Sequence, residues 1–235
     1  MAGLGSLTRD LTFAQQPPDT MKRLFLPIVA MLLAITQLSA QSNEGGTFHI
    51  GLGWSLGIHS TNYEQEYTVG GVIIRDDDQD AAITRTFPID LQIGVAKALS
   101  LGLYGEFGRY LDSSDTRSNR ILIVGFAPRV YIINKDKFNW MIGPEIGISG
   151  LQIEDVEFSN KKFTDSYAGL HVRLATGISF YFVKNFGLQF QTRYAYHNMQ
   201  WRDRDPENTA FDALDYQGVL TTSGIQLTLG ATVKF

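Results

Sequence analysis

Cysteine is absent from this 235-residue chain, so the chain can form neither a disulfide nor a thiolate metal site. Charged residues make up only 19% of the sequence, and the formal net charge is -4. That balance excludes the basic footprint of a nucleic-acid-binding protein. Mean hydropathy is -0.07, which excludes a bundle of transmembrane helices.

Glycine and aromatic residues are plentiful instead, with 23 glycines and 12% aromatic residues. This composition favours an all-β protein over a helical one. A transmembrane β-barrel also has a mean hydropathy near zero, because only alternate residues of each strand face lipid.

The clearest pattern lies in the last eleven residues, Ile225 to Phe235, where the odd positions are apolar and the even positions are polar or small. Successive side chains of a strand point to opposite faces, so this stretch predicts a strand with one apolar face. Its length is that of a tilted membrane-spanning strand.

The same period of two recurs in seven earlier runs, which gives eight predicted strands. Their apolar faces span residues 48–58, 87–95, 101–107, 122–132, 140–148, 170–180, 188–196 and 225–235. The joints between strands alternate in length: the long, polar ones span 59–85, 111–119, 150–165 and 197–217, and the others are tight turns. The pattern predicts an all-β fold, an eight-stranded antiparallel up-and-down transmembrane β-barrel with both strand termini at the short-turn, periplasmic rim.

Alternation alone also fits a soluble barrel with an apolar interior and a polar exterior. The non-apolar face decides between the two, because a solvated face would be rich in Lys, Glu and Thr. Here that face is dominated by Gly, Ala and Ser, which is typical of the crowded interior of a small barrel. We therefore expect the apolar face to contact lipid.

Charged residues occupy mid-strand positions on the predicted inner face, three of them acidic and three of them arginine. A buried charge is costly unless it is paired, and the planar guanidinium group binds carboxylates through two hydrogen bonds. We therefore expect an interior ion-pair network. Its members are Asp90, Glu106, Arg129, Glu145, Arg173 and Arg193, with His171 beside them.

Aromatic residues lie near both ends of the predicted strands, as in the two girdles of a membrane barrel. The last residue is itself aromatic and ends an alternating strand, which is typical of outer-membrane proteins and is recognised by the barrel-insertion machinery. The predicted insertion signal consists of Leu227, Leu229, Val233 and Phe235.

The amino-terminal part carries a basic start, Met21-Lys22-Arg23, an apolar run and then Ala40-Gln41. This order predicts a signal peptide, whose apolar run is short for a transmembrane helix. The alternative is a genuine extension with an uncleaved anchor. The predicted organisation is a disordered upstream start-site extension at 1–20, a signal peptide at 21–40 cleaved between Ala40 and Gln41, a spacer at 41–46 and the barrel at 47–235.

Three features support a family resemblance: Ala40-Gln41, the fifth-strand motif Ile142-Gly143-Pro144-Glu145-Ile146-Gly147, and the closing run from Leu227 to Phe235. On these, residues 47–235 resemble the outer-membrane β-barrel domain family that includes the PorT-like proteins, within the wider group of OmpA-like eight-stranded barrels. The resemblance implies an integral outer-membrane protein of a Gram-negative cell. For PorT-like members it also implies a role in protein secretion to the surface.

Candidate chemistry is sparse. The four histidines, His49, His59, His171 and His197, avoid the outward phase, so we interpret them as interior or rim residues. The acidic run at 76–80 resembles a calcium loop, but Ala81 replaces the turn glycine and Phe87 replaces the bidentate glutamate, which favours a solvated loop tip. The run at 202–207 mixes both signs and is interpreted as solvated surface, with a partner or divalent-bridged lipopolysaccharide as the alternative.

Two classes of function remain open. The first is a barrel without enzymatic activity or cofactor, acting as a membrane anchor, surface-interaction protein or secretion-associated component. The alternative is a lipid-modifying barrel enzyme, which requires His, Ser or acidic groups within about 3 Å at one rim. Expected partners are outer-membrane lipid and lipopolysaccharide, the barrel-assembly machinery during biogenesis, and proteins that bind the long extracellular loops, but no nucleic acid.

Overall fold

The computed structural model describes residues 42–112, 119–158, 161–205 and 216–235. The predicted upstream extension, the signal peptide and the cleavage point between Ala40 and Gln41 lie outside the described residues and stay predictions. Within the described ranges, no helix is long and apolar enough to span a membrane.

The described chain forms one antiparallel sheet of nine strand segments, each hydrogen-bonded to its neighbours around a closed ring. The segments are β1 (Phe48–Val69), β2 (Val72–Ala96), β3 (Leu99–Asp112), β4 (Asn119–Phe126), β5 (Arg129–Lys135), β6 (Phe138–Phe158), β7 (Lys161–Tyr181), β8 (Phe186–Asp205) and β9 (Tyr216–Lys234). The first and last strands pair from His49↔Lys234 to Tyr67↔Tyr216 and so close the ring. The predicted up-and-down β-barrel is confirmed.

Segments β4 and β5 are two halves of one predicted barrel strand, so the ring has eight positions. Both halves pair with β3 on one side and β6 on the other. The interruption falls at Ala127 and Pro128, because proline has no N–H to donate to the ladder. Alternation survives the break, since Phe126 is exposed while Ala127 and Arg129 are buried.

The apolar face of every strand is the outside of the barrel, as predicted. Ile146, Phe190 and Leu227 are 54%, 44% and 47% exposed, whereas Glu145 and Arg129 are 1% and 5% exposed. Continuous exposure of large apolar side chains around a closed sheet is unsuited to water and is the surface that lipid tails cover.

Two of the predicted long loops, 59–85 and 150–165, are largely strand. Strands β1 and β2 run on past the membrane and join through Gly70 and Gly71 alone, whose φ angles of 57° and 84° suit a tight hairpin turn. Strands β6 and β7 extend to Phe158 and from Lys161. Residues 71–79 are all exposed, so both faces of β2 meet water there, and the apolar period disappears although the hydrogen-bonded ladder continues.

The first charged run and the described part of the second therefore lie on strands and not in loops. Asp76, Asp77 and Asp78 face β1 in the register Gln65↔Asp76, Glu64↔Asp77 and Tyr63↔Asp78. Residues 202–205 of the second run belong to β8. Residues 206 and 207 lie outside the described residues.

A charge on the lipid face should cost stability according to its depth. Replacing Leu103, mid-way up β3 and exposed, in Leu103→Arg should lower the free energy of unfolding by about 2–4 kcal/mol. The matched control Ile74→Arg, on the hairpin above the membrane, should change it by no more than about 0.5 kcal/mol. Urea titration in lipid vesicles measures both, and equal effects would contradict the lipid-facing assignment.

Candidate functional site

Arg173 is the centre of a buried charge cluster inside the barrel. Its Nη1 lies 2.7 Å from Glu106 Oε1, and its Nε lies 2.8 Å from Glu145 Oε2. Arg193 approaches the same Glu145 Oε2 through Nε at 3.2 Å. These four side chains are fully or almost fully buried, so each guanidinium group compensates a carboxylate that water does not reach.

The remaining two predicted members extend the cluster toward the short-turn rim. Arg129 Nη2 lies 2.7 Å from Asp90 Oδ1, and Arg193 Nη2 lies 3.7 Å from Asp90 Oδ2. The structure thus joins all six predicted charges through Arg193. The strand register brings one of these pairs together, because Glu145 faces Arg173 directly across β6 and β7.

Neutral side chains complete the coordination of Glu106. Gln226 Nε2 donates to Glu106 Oε2 at 2.9 Å, and Thr86 Oγ1 donates to the same oxygen at 3.1 Å. The Arg173 guanidinium group lies 4.4 Å from the centre of the Tyr104 ring. Each of these groups lies in the inward phase, but a neutral side chain carries no charge that would mark it in the sequence as a member of the network.

Three histidines meet above the ion pairs, a convergence that sequence reasoning missed. The rings of His171 and His197 are 5.2 Å apart, and those of His59 and His197 are 6.4 Å apart. Tyr104 Oη hydrogen-bonds His171 Nε2, and His59 Nε2 lies 2.9 Å from Thr84 Oγ1. His197, predicted to start a loop, is instead buried on β8.

The outer part of the lumen is filled by apolar and aromatic side chains, which the prediction of a small polar interior did not foresee. This layer consists of Tyr110, Ile121, Ile123, Leu151, Tyr167, Met199 and Leu220, all buried. It lies in the inward phase of strands β3, β4, β6, β7, β8 and β9. The lumen is therefore ionic in its middle and apolar toward the outer end.

The predicted spacer before the barrel folds into the short-turn mouth. Asn43 Nδ2 donates to the Ala96 carbonyl at 2.7 Å, and Ser42 Oγ accepts a hydrogen bond from Asn139 Nδ2 at 2.6 Å. Both residues are fully buried. The chain passes so close to Gly94 that a Cβ there would lie 2.0 Å from the Glu44 carbonyl oxygen, which requires glycine. This segment closes the mouth.

A further buried ion pair lies at the outer end. Arg204 Nε and Nη2 lie 2.5 and 2.6 Å from the two oxygens of Asp165. The interpretation of the second charged run as solvated surface is wrong for Arg204, which is buried against the rings of Phe163 and Tyr216. Across β7 and β8, Asp165 faces Arg204 directly, a pairing that sequence spacing could not indicate.

The chemistry available to these groups is limited by burial. Among the described residues, no group of three or more His, Cys, Asp or Glu side chains is arranged to hold a metal ion. The histidine–hydroxyl pairs of His59 with Thr84 and of His171 with Tyr104 are buried within the lumen. The arrangement suits a rigid, filled barrel.

The predicted insertion-signal residues all lie on β9 or directly after it. Leu227 and Leu229 point outward and are exposed, and Phe235 stacks on Phe48 with 6.4 Å between ring centres. Their role as a signal stays a prediction.

No protein-family model and no curated protein sequence matches the chain. Among solved structures, the outer membrane protein OprG from Pseudomonas aeruginosa matches with a TM-score of 0.51 at 12% identity, covering 82% of this chain and 97% of OprG. The outer membrane protein AlkL, solved in lipid bilayers, matches with a TM-score of 0.53 at 12% identity, covering 85% and 94%. The chain has the fold of a small outer-membrane β-barrel. This fold and its continuous apolar exterior place the outer-membrane barrel in the cell outer membrane.

The charge cluster of the outer-membrane barrel should be sensitive to loss of one partner. Glu106→Gln keeps the shape but leaves Arg173 and Arg193 short of a buried carboxylate, so unfolding free energy should fall by about 3–5 kcal/mol. The control Glu66→Gln breaks the exposed pair with Arg75 at 2.7 Å and should cost about 0–1 kcal/mol. Urea titration in vesicles compares them. An unchanged stability for Glu106→Gln would rule out a strongly coupled network.

Proposed function

We propose that this outer-membrane barrel is a non-enzymatic anchor that presents its β1–β2 hairpin to protein partners at the cell surface. The observation that supports this proposal is the hairpin itself, which continues for ten residue pairs beyond His59↔Ala82, from Ser60↔Ala81 to Val69↔Val72, and turns at Gly70 and Gly71. Because both chain ends of the barrel lie at the periplasmic rim, the hairpin extends on the extracellular side.

The hairpin carries two features of an interaction surface. Its tip exposes Val72, Ile73 and Ile74 in succession, and three consecutive exposed β-branched residues outside the membrane favour binding to another protein. Below the tip lie the exposed acidic residues Asp76, Asp77 and Asp78, which favour a partner with basic groups.

The base of the hairpin is anchored firmly enough to hold this surface in place. Tyr63 is packed against the outer apolar layer and donates a hydrogen bond from Oη to Asp112 Oδ2 at 3.2 Å. Burial raises the pKa of Tyr63 above its ordinary value, so the phenol stays a neutral donor. The β1 side of the hairpin also pairs with β9 as far as Tyr67↔Tyr216.

The filled lumen supports a role outside the barrel. From its middle toward its outer end, the lumen is occupied by ion pairs, then histidines, then an apolar layer. Residues 42–46 pack into its periplasmic mouth. A packed eight-stranded barrel gives solutes no path. Burial of the histidines likewise favours the non-enzymatic role over a lipid-modifying enzyme, and the PorT-like resemblance favours partners that belong to protein secretion.

The hairpin should contact a partner in intact cells. A photocrosslinking amino acid at Ile74 should give a covalent protein adduct, because this side chain is exposed beyond the membrane. The same group at Leu103, on the lipid face, is the control and should give none. With the crosslinking group at position 79, the full-length protein should also give an adduct. Removing residues 65–76 and joining Glu64 to Asp77, which face each other, should abolish that adduct.

Two results would contradict the proposal. One is equal crosslinking at positions 74 and 103. The other is a change in the mass spectrum of outer-membrane lipids when the protein is lost from cells, which would favour the lipid-modifying enzyme. A reduced set of secreted surface proteins in cells carrying the shortened hairpin would support the secretion-associated form of the role.

A further inference from the structure

Three arginines meet on the outer surface of the barrel, on neighbouring strands. Arg85 faces Arg109 across β2 and β3, and Arg109 faces Arg120 across β3 and β4. All three side chains are exposed. Residues directly opposite in antiparallel strands have Cβ atoms only about 5 Å apart, and like charges at such positions are destabilising. A row of three arginines in this register is therefore suited to an anion that bridges them.

The row lies at the height of the outer membrane interface. Arg109 is ten residues from Leu99, where β3 begins at the short-turn rim. With a rise of about 3.4 Å per residue and a tilt of about 40°, it stands about 25 Å above that rim, which is the height of the apolar band. Guanidinium groups at this level reach the headgroups of the outer leaflet.

An apolar groove lies directly beneath the arginines. Two residues along each strand toward the membrane centre, Phe87 faces Phe107, and Phe107 faces Leu122. The two phenylalanine rings stack with centres 5.8 Å apart. Leu122 faces Gly150, whose missing side chain opens the groove on that side. The groove has a volume of about 820 Å³ and is lined by residues of both rows.

We propose that this surface binds a phosphorylated, multiply acylated lipid of the outer leaflet, with its phosphate on the arginine row and an acyl chain in the groove. Charge and shape both select this occupant. Guanidinium groups bind phosphate oxygens through paired, charge-assisted hydrogen bonds, and Phe87, Phe107 and Leu122 present only hydrocarbon below them. Arg120 also pairs with Glu154 of β6, with 3.0 Å between Nε and Oε1.

The binding test compares three forms of the full barrel purified in detergent. The wild-type protein, the triple variant Arg85→Gln, Arg109→Gln, Arg120→Gln, and a control with the same loss of charge are each mixed with bisphosphorylated lipid A. Native mass spectrometry counts the bound lipid. The control replaces Arg75, Arg202 and Lys97 by Gln, because these exposed residues lie outside the row. Gel mobility without heating verifies that each form is folded.

Wild type and control should retain the lipid, and the triple variant should bind it at least about tenfold more weakly, since several charge-assisted hydrogen bonds are lost. Dephosphorylated lipid A should bind the wild-type protein as weakly as the intact lipid binds the triple variant. Equal retention by wild type and triple variant would overturn the proposal. So would displacement of the lipid by an equal concentration of inorganic phosphate, which would indicate a site for a free anion.

A second variant tests the groove separately from the charges. A Cβ on Gly150 would meet only the Tyr167 carbonyl oxygen, at 3.8 Å, so Gly150→Leu should fold normally while filling the groove. It should bind bisphosphorylated lipid A several-fold more weakly than wild type and keep the preference for the phosphorylated form. Unchanged binding by Gly150→Leu would show that no acyl chain occupies the groove.

Discussion

Closure of the sheet is the constraint on which the rest of this structure depends. In hydrocarbon, each backbone N–H and C=O must find its partner within the protein, so a sheet with open edges cannot cross the membrane. Strands β1 and β9 remove the edges by pairing along their length. The ring is completed at the periplasmic rim, where Phe48 and Phe235 exchange backbone hydrogen bonds at 3.2 and 2.8 Å.

Closing eight strands into a ring leaves a narrow interior, and its contents follow from that size. Charges placed there have little water, so Glu106 and Glu145 persist only because Arg173 and Arg193 lie against them. The histidine and apolar layers fill the space above. With the lumen occupied, the surfaces left for recognition are the hairpin above the membrane and the lipid-facing exterior.

Period two in the sequence was enough to predict the strands, their faces and the inward placement of all six network charges, because each follows from one strand at a time. Sequence could not predict which strands face each other at which residue. Hence the meeting of His59, His171 and His197 and the pairing of Arg204 with Asp165 were missed. The hairpin was mistaken for a loop because water on both faces removes the apolar period, although Gly70 and Gly71 lay at its turn.

Accessibility along β8 tests the central claim most directly. The chain has no native cysteine, so single cysteines at Leu188, Phe190, Gln189 and Ala195 can each carry a nitroxide label in lipid vesicles. Power-saturation electron paramagnetic resonance should show high accessibility to lipid-dissolved oxygen at positions 188 and 190 and low accessibility at 189 and 195. The opposite phase, or equal access of a water-soluble relaxation agent to all four, would contradict a lipid-facing apolar exterior around a filled lumen.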